Sequence, residues 1–224
     1  MEKVDYLRAM EIDCWEKRSS STNSSTNTES NLTRNLVEES SLSNNWQELA
    51  DTIANCTKCE LHKSRRNTVF GIGDPNADLL IIGEAPGATE DAQGEPFVGR
   101  AGKLLDNMLL SIGLQRSNIF IANILKCRPP QNRDPSPKEV ATCTPYLTKQ
   151  IEHIKPKLIV TVGRIAAHFL LNTNLSMAKL RGHSYEYGEN KTPLLVTYHP
   201  AYLLRSPGEK AKAYQDLQLI KSYL

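Results

Sequence analysis

The 224-residue chain lacks a long apolar run and an apolar signal segment. Its first residues, MEKVDYLRAMEID, carry charges throughout, whereas a secretory signal needs an apolar core. No apolar stretch approaches the roughly 18 residues that a membrane helix needs. We therefore expect no membrane partner and a cytoplasmic protein, in a reducing compartment where disulfides are rare.

Two common nucleotide-binding motifs are also missing. Residues 94–101 have the glycine spacing of a P-loop, but Arg100 replaces the phosphate-binding Lys, and Ala101 replaces the Ser or Thr that would hold magnesium. No G-x-G-x-x-G follows the first predicted strand. These absences argue against an NTPase and against a dinucleotide-dependent oxidoreductase.

Cysteine is scarce, but the spacing of four of the five cysteines is informative. Cys56 and Cys59 form a C-x2-C pair, and Cys127 and Cys143 follow much later in the chain. A C-x2-C pair can grip one metal or one cluster, and a distant pair completes four-coordination if the fold brings it back. The spacing favours a four-thiolate metal or cluster site over disulfides or core thiols. We interpret Cys14 as a packed or free thiol.

The composition divides the chain near residue 45. Twelve of the thirteen residues at 19–31 are Ser, Thr or Asn, and such a stretch buries too little apolar surface to fold. Residues 19–45 are therefore predicted to be a disordered linker, and residues 46–224 one domain. That domain holds 22 Lys and Arg against 17 Asp and Glu, a mildly basic balance of 22 − 17 = +5. This charge is compatible with a phosphate-backbone partner, although many soluble domains carry as much.

Short apolar runs alternate with helical patterns from residue 46 onward. We predict strands at 78–82, 118–123, 157–162 and 194–198. We predict helices at 102–111, 136–154, 164–171 and 208–224, the second with Pro137 in its first turn. This alternation predicts an α/β fold with a mostly parallel, four-stranded sheet.

Polar residues follow three of the predicted strands. Glu84 comes directly after the first strand, Asn123 ends the second, and His199 follows the last. Ligand sites of open α/β sheets gather at the carboxyl ends of the strands, so these groups should converge. Each also has a structural alternative: a tight turn at 83–87, a loop-capping amide and a buried structural histidine. Their convergence favours a functional site.

Four motifs occur in an order that identifies a family. They are GEAPGATED at 83–91, PFVGRAG at 96–102, NILKCRPPQNR at 123–133 and HPAYLLR at 199–205. In sequence and order they resemble the family 4 uracil-DNA glycosylases, and the cysteine spacing fits that family. The resemblance runs from about Trp46 to the C-terminus.

The resemblance implies a three-layer α/β/α sandwich and a DNA repair enzyme. Such an enzyme would flip uracil out of bacterial chromosomal DNA and hydrolyse its N-glycosidic bond. It would leave an abasic site for base excision repair without cutting the strand. The resemblance also implies a 4Fe-4S cluster on Cys56, Cys59, Cys127 and Cys143, which we expect to hold distant parts of the chain together rather than to catalyse.

The same resemblance assigns roles to single residues. Phe97 matches the aromatic residue that stacks on the flipped base. Asn123 would read the O4 and N3–H edge of uracil, and His199 would donate to O2. Glu84 would stabilise the sugar cation or orient water, and Ala85 would offer its main chain to the base.

We further predict DNA phosphate contacts from four basic residues, with solvated surface charge as the alternative for each: Lys126, Arg128, Arg133 and Arg205. Residues 162–172 lack the inserted arginine-rich loop of a branch that binds uracil-DNA covalently. We therefore expect an enzyme that turns over, and a monomer.

The N-terminal segment at 4–18 could form a short amphipathic helix. It resembles the clamp-loader-binding peptide of the bacterial DNA polymerase III psi subunit, so a replication or clamp-loader partner is one hypothesis. The alternatives are that the segment folds back on the domain or has no role. A different function also remains open, namely a non-catalytic DNA-binding or interaction module with a structural metal or cluster site.

Overall fold

The computed structural model describes residues 45–224. The predicted partner-binding segment at 4–18, Cys14 and almost all of the predicted linker lie outside the described residues. None of the described helices is long and apolar enough to cross a membrane.

Eight α-helices and six strands are described in residues 45–224. The helices are α1 (45–54), α2 (Ala88–Gln93), α3 (Arg100–Leu110), α4 (Pro137–Ile154), α5 (Arg164–Leu171), α6 (Met177–Leu180), α7 (Pro200–Arg205) and α8 (Lys210–Lys221). The strands are β1 (Ile72–Gly73), β2 (Leu79–Gly83), β3 (Phe120–Asn123), β4 (Leu158–Val162), β5 (Ser184–Tyr187) and β6 (Thr192–Thr197). Short 3-10 helices lie at Glu60–Lys63, Arg116–Asn118, Pro130–Asn132 and Pro207–Glu209.

The strands form one sheet in the order β1-β3-β2-β4-β6-β5. Strands β3, β2, β4 and β6 are mutually parallel, and β1 and β5 pair antiparallel at the two edges. The predicted parallel strands are therefore confirmed, but the sheet has six strands, not four. The two edge strands gave no buried apolar run, since β1 has two residues and β5 (SYEY) alternates between exposed and half-buried positions.

Helices cover both faces of the sheet, which confirms the three-layer sandwich. Alternate residues of β2 point into different cores, with Leu80 and Ile82 on one face and Leu79 and Ile81 on the other. The first core includes side chains from α1, α4, α5 and α6. The second includes side chains from α3, α7 and α8. Because both faces are buried, the central strands read as continuous apolar runs.

The register of the parallel strands brings their carboxyl ends to one edge. Gly83 of β2 lies beside Asn123 of β3, and Val162 of β4 lies beside Thr197 of β6. The residues that follow these positions therefore share one end of the sheet, as the sequence predicted.

Candidate active site

A cavity with a volume of about 870 Å³ opens at the carboxyl edge of the sheet. All five residues that the sequence singled out for base binding and catalysis line it: Glu84, Ala85, Phe97, Asn123 and His199. A large concave pocket with a few convergent polar groups is the default candidate for a binding site.

The Asn123 amide is buried at the base of this cavity. Its side chain sits at the last position of β3, and the residue is 2 % exposed. Its Oδ1 has no hydrogen-bond partner among residues 45–224. Buried polar atoms are nearly always paired, so an unpaired one facing a cavity suits a ligand that supplies the missing partner.

His199 presents a neutral imidazole to the cavity. Its Nδ1 accepts a hydrogen bond from the Ala201 N–H at 3.1 Å, at the first turn of α7. Burial, helped by the charge of Arg205, lowers the pKa of His199 to about 4. Because Nδ1 is an acceptor and the ring is neutral, Nε2 carries the proton and is a hydrogen-bond donor.

The Phe97 ring lies beside His199, with ring centroids 5.6 Å apart. Phe97 is buried, and its backbone is left-handed with φ of 54°. Gly83 makes room for both the ring and the Asn123 amide. A Cβ on Gly83 would lie 2.7 Å from Phe97 Cζ and 2.4 Å from Asn123 Oδ1, so only glycine fits there.

The loop that carries Phe97 is fixed by two charged residues. Glu90 Oε1 accepts hydrogen bonds from the Val98 and Gly99 N–H groups, both at 3.0 Å. Arg116 binds carbonyl groups of the same loop. The sequence indicated Glu90 only through its place in the motif at 83–91. Nothing in the sequence indicated Arg116, which lies 19 residues after Phe97.

Glu84 follows β2 and is half-buried at the cavity wall. Burial, reinforced by the negative charge of Asp134, raises the pKa of Glu84 to about 7, although Arg164 opposes this shift. Asp134 and Arg164 also line the cavity and form an ion pair at 3.4 Å. A carboxyl group that ionises near neutral pH in a cleft is a candidate for acid-base or electrostatic chemistry.

Lys126 is not placed to contact a phosphate, so that prediction is wrong. Lys126 is 1 % exposed, and its Nζ donates to the Asn123 carbonyl at 2.8 Å and to Gln150 Oε1 at 2.6 Å. Burial lowers the pKa of its ammonium to about 8. Lysine is rarely fully buried, so the sequence gave no reason to expect an inward orientation.

The three predicted arginines are on the surface or at the cavity rim. Arg205 is exposed and lines the cavity, and Arg128 donates to Asn132 Oδ1 at 2.8 Å. Arg133 also lines the cavity, but it forms a two-bond fork with Glu139 at 2.8 and 2.5 Å. That fork lowers the pKa of Glu139 to about 2.

The four cysteines of the sequence pattern surround a second, small cavity. Cys56, Cys59, Cys127 and Cys143 all line it, and none of them forms a disulfide. Within residues 45–224, no group of three or more His, Cys, Asp or Glu side chains is arranged to hold a single metal ion.

Hydrogen-bond donors point at three of the sulfurs. Arg65 Nη1 lies 3.1 Å from Cys127 Sγ, the Tyr146 hydroxyl 3.2 Å from Cys56 Sγ, and the backbone N–H of Lys126 3.3 Å from Cys143 Sγ. Burial raises the pKa of the Cys143 thiol to about 11, whereas N–H donors and cations favour the thiolate. The four cysteines therefore fit a positively charged group that binds thiolates. Such a group would stabilise the buried negative charges, which water cannot reach.

The chain is similar to known proteins over most of its length. Residues 70–218 match the sequence model of the uracil DNA glycosylase superfamily. The type-4 uracil-DNA glycosylase of Archaeoglobus fulgidus is 45% identical over 77% of this chain and 90% of its own length. The type-4 enzyme of Saccharolobus solfataricus is 44% identical over 79% and 85%. That of Thermotoga maritima is 38% identical over 79% and 93%. The chain therefore belongs to the type-4 family of the uracil-DNA glycosylase superfamily.

Proposed function

We propose that this protein removes uracil from DNA by hydrolysing the bond between the base and deoxyribose. The observation that carries the proposal is the buried Asn123 amide, whose Oδ1 has no partner among residues 45–224 and which lines a cavity beside a neutral histidine donor and an aromatic ring. Uracil offers complementary groups to each of these side chains.

Base recognition follows from the Asn123 amide. Oδ1 accepts from uracil N3–H, and Nδ2 donates to uracil O4. Cytosine presents an amino donor and a ring acceptor at the same two positions, so it would leave both groups unpaired. A site built to pair specific polar groups rejects a base that cannot pair them. The Phe97 ring supplies a face on which the flipped base stacks.

Bond cleavage needs stabilisation of two developing charges. The departing uracil takes the electron pair of the N-glycosidic bond, and the sugar becomes cationic. His199 Nε2–H is a preorganised donor for uracil O2, where negative charge grows. The Glu84 carboxylate stabilises the sugar cation and orients the water that attacks C1′, and the main chain at Ala85 faces the base.

The site must receive a nucleotide that has left the duplex. Flipping costs a few kcal/mol, and less for a mismatched U·G pair. We propose that Arg205, Arg128 and Arg133 offset part of this cost by contacting phosphates around the flipped nucleotide. Arg205 is exposed at the cavity itself, whereas Arg133 must share its guanidinium with Glu139.

Product analysis tests the reaction class. The protein is incubated with DNA that contains one uracil, and chromatography measures released base while an aldehyde-reactive probe measures abasic sites. The proposal expects equal amounts of uracil and abasic site and an uncut strand. Strand cleavage without alkali would contradict a monofunctional glycosylase, because it needs an additional lyase step.

The Glu84 carboxyl group predicts the pH dependence of the reaction. Because the active form is the carboxylate and the pKa of Glu84 is raised to about 7, the single-turnover rate should rise with pH between about 6 and 8. His199, with its pKa lowered to about 4, stays neutral across that range. Glu84→Gln should be slow and insensitive to pH, whereas Glu189→Gln at an exposed position should match the wild type. An unchanged inflection in Glu84→Gln would contradict this role.

We infer that the four cysteines bind a 4Fe-4S cluster. Four thiolates are the usual ligand set of such clusters, and the two cysteine pairs come from separate parts of the chain. The cluster, when bound, supplies a cross-link between the segment after α1 and the region from Cys127 to α4. Lys126 precedes Cys127 in the chain, and its ammonium donates a hydrogen bond to the Asn123 carbonyl. The cluster ligands are therefore connected to the residue that would read the base.

Removing one cluster ligand should affect both folding and activity. Cys143→Ser, purified without air, is expected to lose most of its bound iron and sulfide and to melt at a lower temperature. Its uracil excision should fall as well, because Asn123 is close to the ligand loop. Cys14→Ser is the matched control and should retain the iron content of the wild type. Full iron and sulfide content in Cys143→Ser would contradict the assignment.

The remaining partner assignments also stay predictions. They are a monomeric state, a replication or clamp-loader partner for residues 4–18, and action on chromosomal DNA in a bacterial cytoplasm. None of them is needed for the chemistry described above.

A further inference from the structure

Phe97 has a backbone conformation that its side chain disfavours. Its φ of 54° is in the left-handed region, which a bulky residue without glycine's freedom seldom adopts. Such a conformation is strained and persists only where its surroundings hold it. Since Phe97 is the ring on which the base would stack, what holds it matters for function.

Arg116 holds the two carbonyl groups on either side of this conformation. Its Nη1 donates to the Pro96 carbonyl at 2.9 Å, and its Nη2 donates to the Phe97 carbonyl. Its Nε donates to Asp106 Oδ1 at 2.7 Å, which fixes the plane of the guanidinium. Arg116 comes from the 3-10 helix before β3, so it reaches the loop from a separate element.

Packing fixes the same peptide from two other sides. A Cβ on Gly102 would lie 1.6 Å from the Phe97 carbonyl oxygen, so that oxygen rests directly on the first turn of α3. The ring is confined against Gly83 on its other side. The carbonyl of Phe97 is therefore packed against α3, and Arg116 donates a hydrogen bond to it there.

We propose that Arg116, oriented by Asp106, is the positioning residue that keeps the Phe97 ring in place as the stacking platform for the flipped base. The inference rests on the proposed uracil excision and adds a residue to it. Every side-chain hydrogen bond described for Arg116 goes either to Asp106 or to the loop carbonyls at 96 and 97. Arg116 does not line the cavity, so it acts through Phe97 and not on the base.

A double-mutant cycle with Phe97→Gly tests this role. Glycine removes the ring and adopts a left-handed backbone without strain. In the wild-type background, Arg116→Met should slow single-turnover excision by about 10- to 100-fold, the scale of loss that follows from a displacement of about 1 Å in a positioned group. In the Phe97→Gly background, the same change should alter the remaining rate by less than about 3-fold, because residues that act together are not additive.

Two further variants separate the two hydrogen bonds that Arg116 donates to the loop from a general effect of losing a positive charge. Arg116→Lys keeps the charge but cannot reach two carbonyls with one planar fork, so it should lose part of the rate. Lys221→Met, at the exposed end of α8, removes one positive charge and should match the wild type. An equal loss for Arg116→Met in both backgrounds, or a wild-type rate in Arg116→Met, would overturn the proposal.

Thermal unfolding gives a readout that does not depend on activity. Arg116→Met should clearly lower the melting temperature in the wild-type background. In the Phe97→Gly background the decrease should be less than about half as large, because glycine adopts the left-handed backbone without strain. Equal shifts in both backgrounds would show a structural role unrelated to Phe97. If the wild-type protein releases no uracil, the proposed function fails, yet this melting cycle still tests the coupling of Arg116 to Phe97.

Discussion

Replacing His199 by alanine should slow uracil release by about 100- to 1,000-fold, the loss that follows from removal of one preorganised donor to a developing anion. The structure gives this donor a defined form. The Ala201 N–H occupies Nδ1, so the proton is on Nε2, and burial keeps the ring neutral. A neutral imidazole can donate a hydrogen bond to the uracil anion without having to carry a positive charge, which burial disfavours.

His183→Ala is the matched control, because His183 is exposed and outside the cavity. Single-turnover rates of the two variants are compared on DNA with one uracil, with circular dichroism and iron content measured on both. The control should keep the wild-type rate. A folded, cluster-loaded His199→Ala protein with more than about a third of the wild-type rate would contradict the role of His199, since one donor is worth at least about 2.7 kcal/mol.

Asn123→Leu should abolish discrimination and most activity without weakening the fold. Leucine has the same number and branching of side-chain heavy atoms as asparagine but cannot pair with uracil N3–H or O4. Each uracil group left unpaired in a desolvated pocket costs about 1–3 kcal/mol. Two such groups correspond to a loss of about 30- to 20,000-fold in kcat/KM, at about 1.4 kcal/mol for each factor of ten.

The stability of Asn123→Leu distinguishes recognition from folding. Because Asn123 Oδ1 has no partner among the described residues, replacing it removes an unpaired buried polar atom. The free energy of unfolding in urea should therefore stay the same or rise. Asn107→Leu, at an exposed position on α3, controls for the substitution and should keep full activity. A variant that unfolds much more easily would point to a structural asparagine.

The parallel sheet and its site were readable from the sequence because they rest on local patterns. Apolar runs such as 79–82 and 158–162 are buried on both faces. The polar residues that end or follow the strands, Glu84, Asn123 and His199, meet at one edge. The capping box of Ser136 and Glu139, with Pro137 between them, likewise starts α4 where helix-start signals predict.

What the sequence did not disclose depends on contacts between distant residues. Lys126 lies in a basic stretch, yet its ammonium turns inward because the Asn123 carbonyl and Gln150 satisfy it there. Arg116 and Asp106 have no motif, since their task is to hold a loop from another element. The short edge strands β1 and β5 are set by pairing with β3 and β6, and not by their own sequence.

The most direct test compares three labelled duplexes that differ at one position, with U·G, C·G or T·A. Cluster-loaded wild-type protein is incubated with each and then treated with alkali, and strand breaks are measured on a denaturing gel. The account predicts breaks at uracil alone, and only after alkali. No breaks from folded protein that retains its iron, or equal breaks at cytosine and thymine, would contradict it and leave a DNA-binding module or an unspecific nuclease.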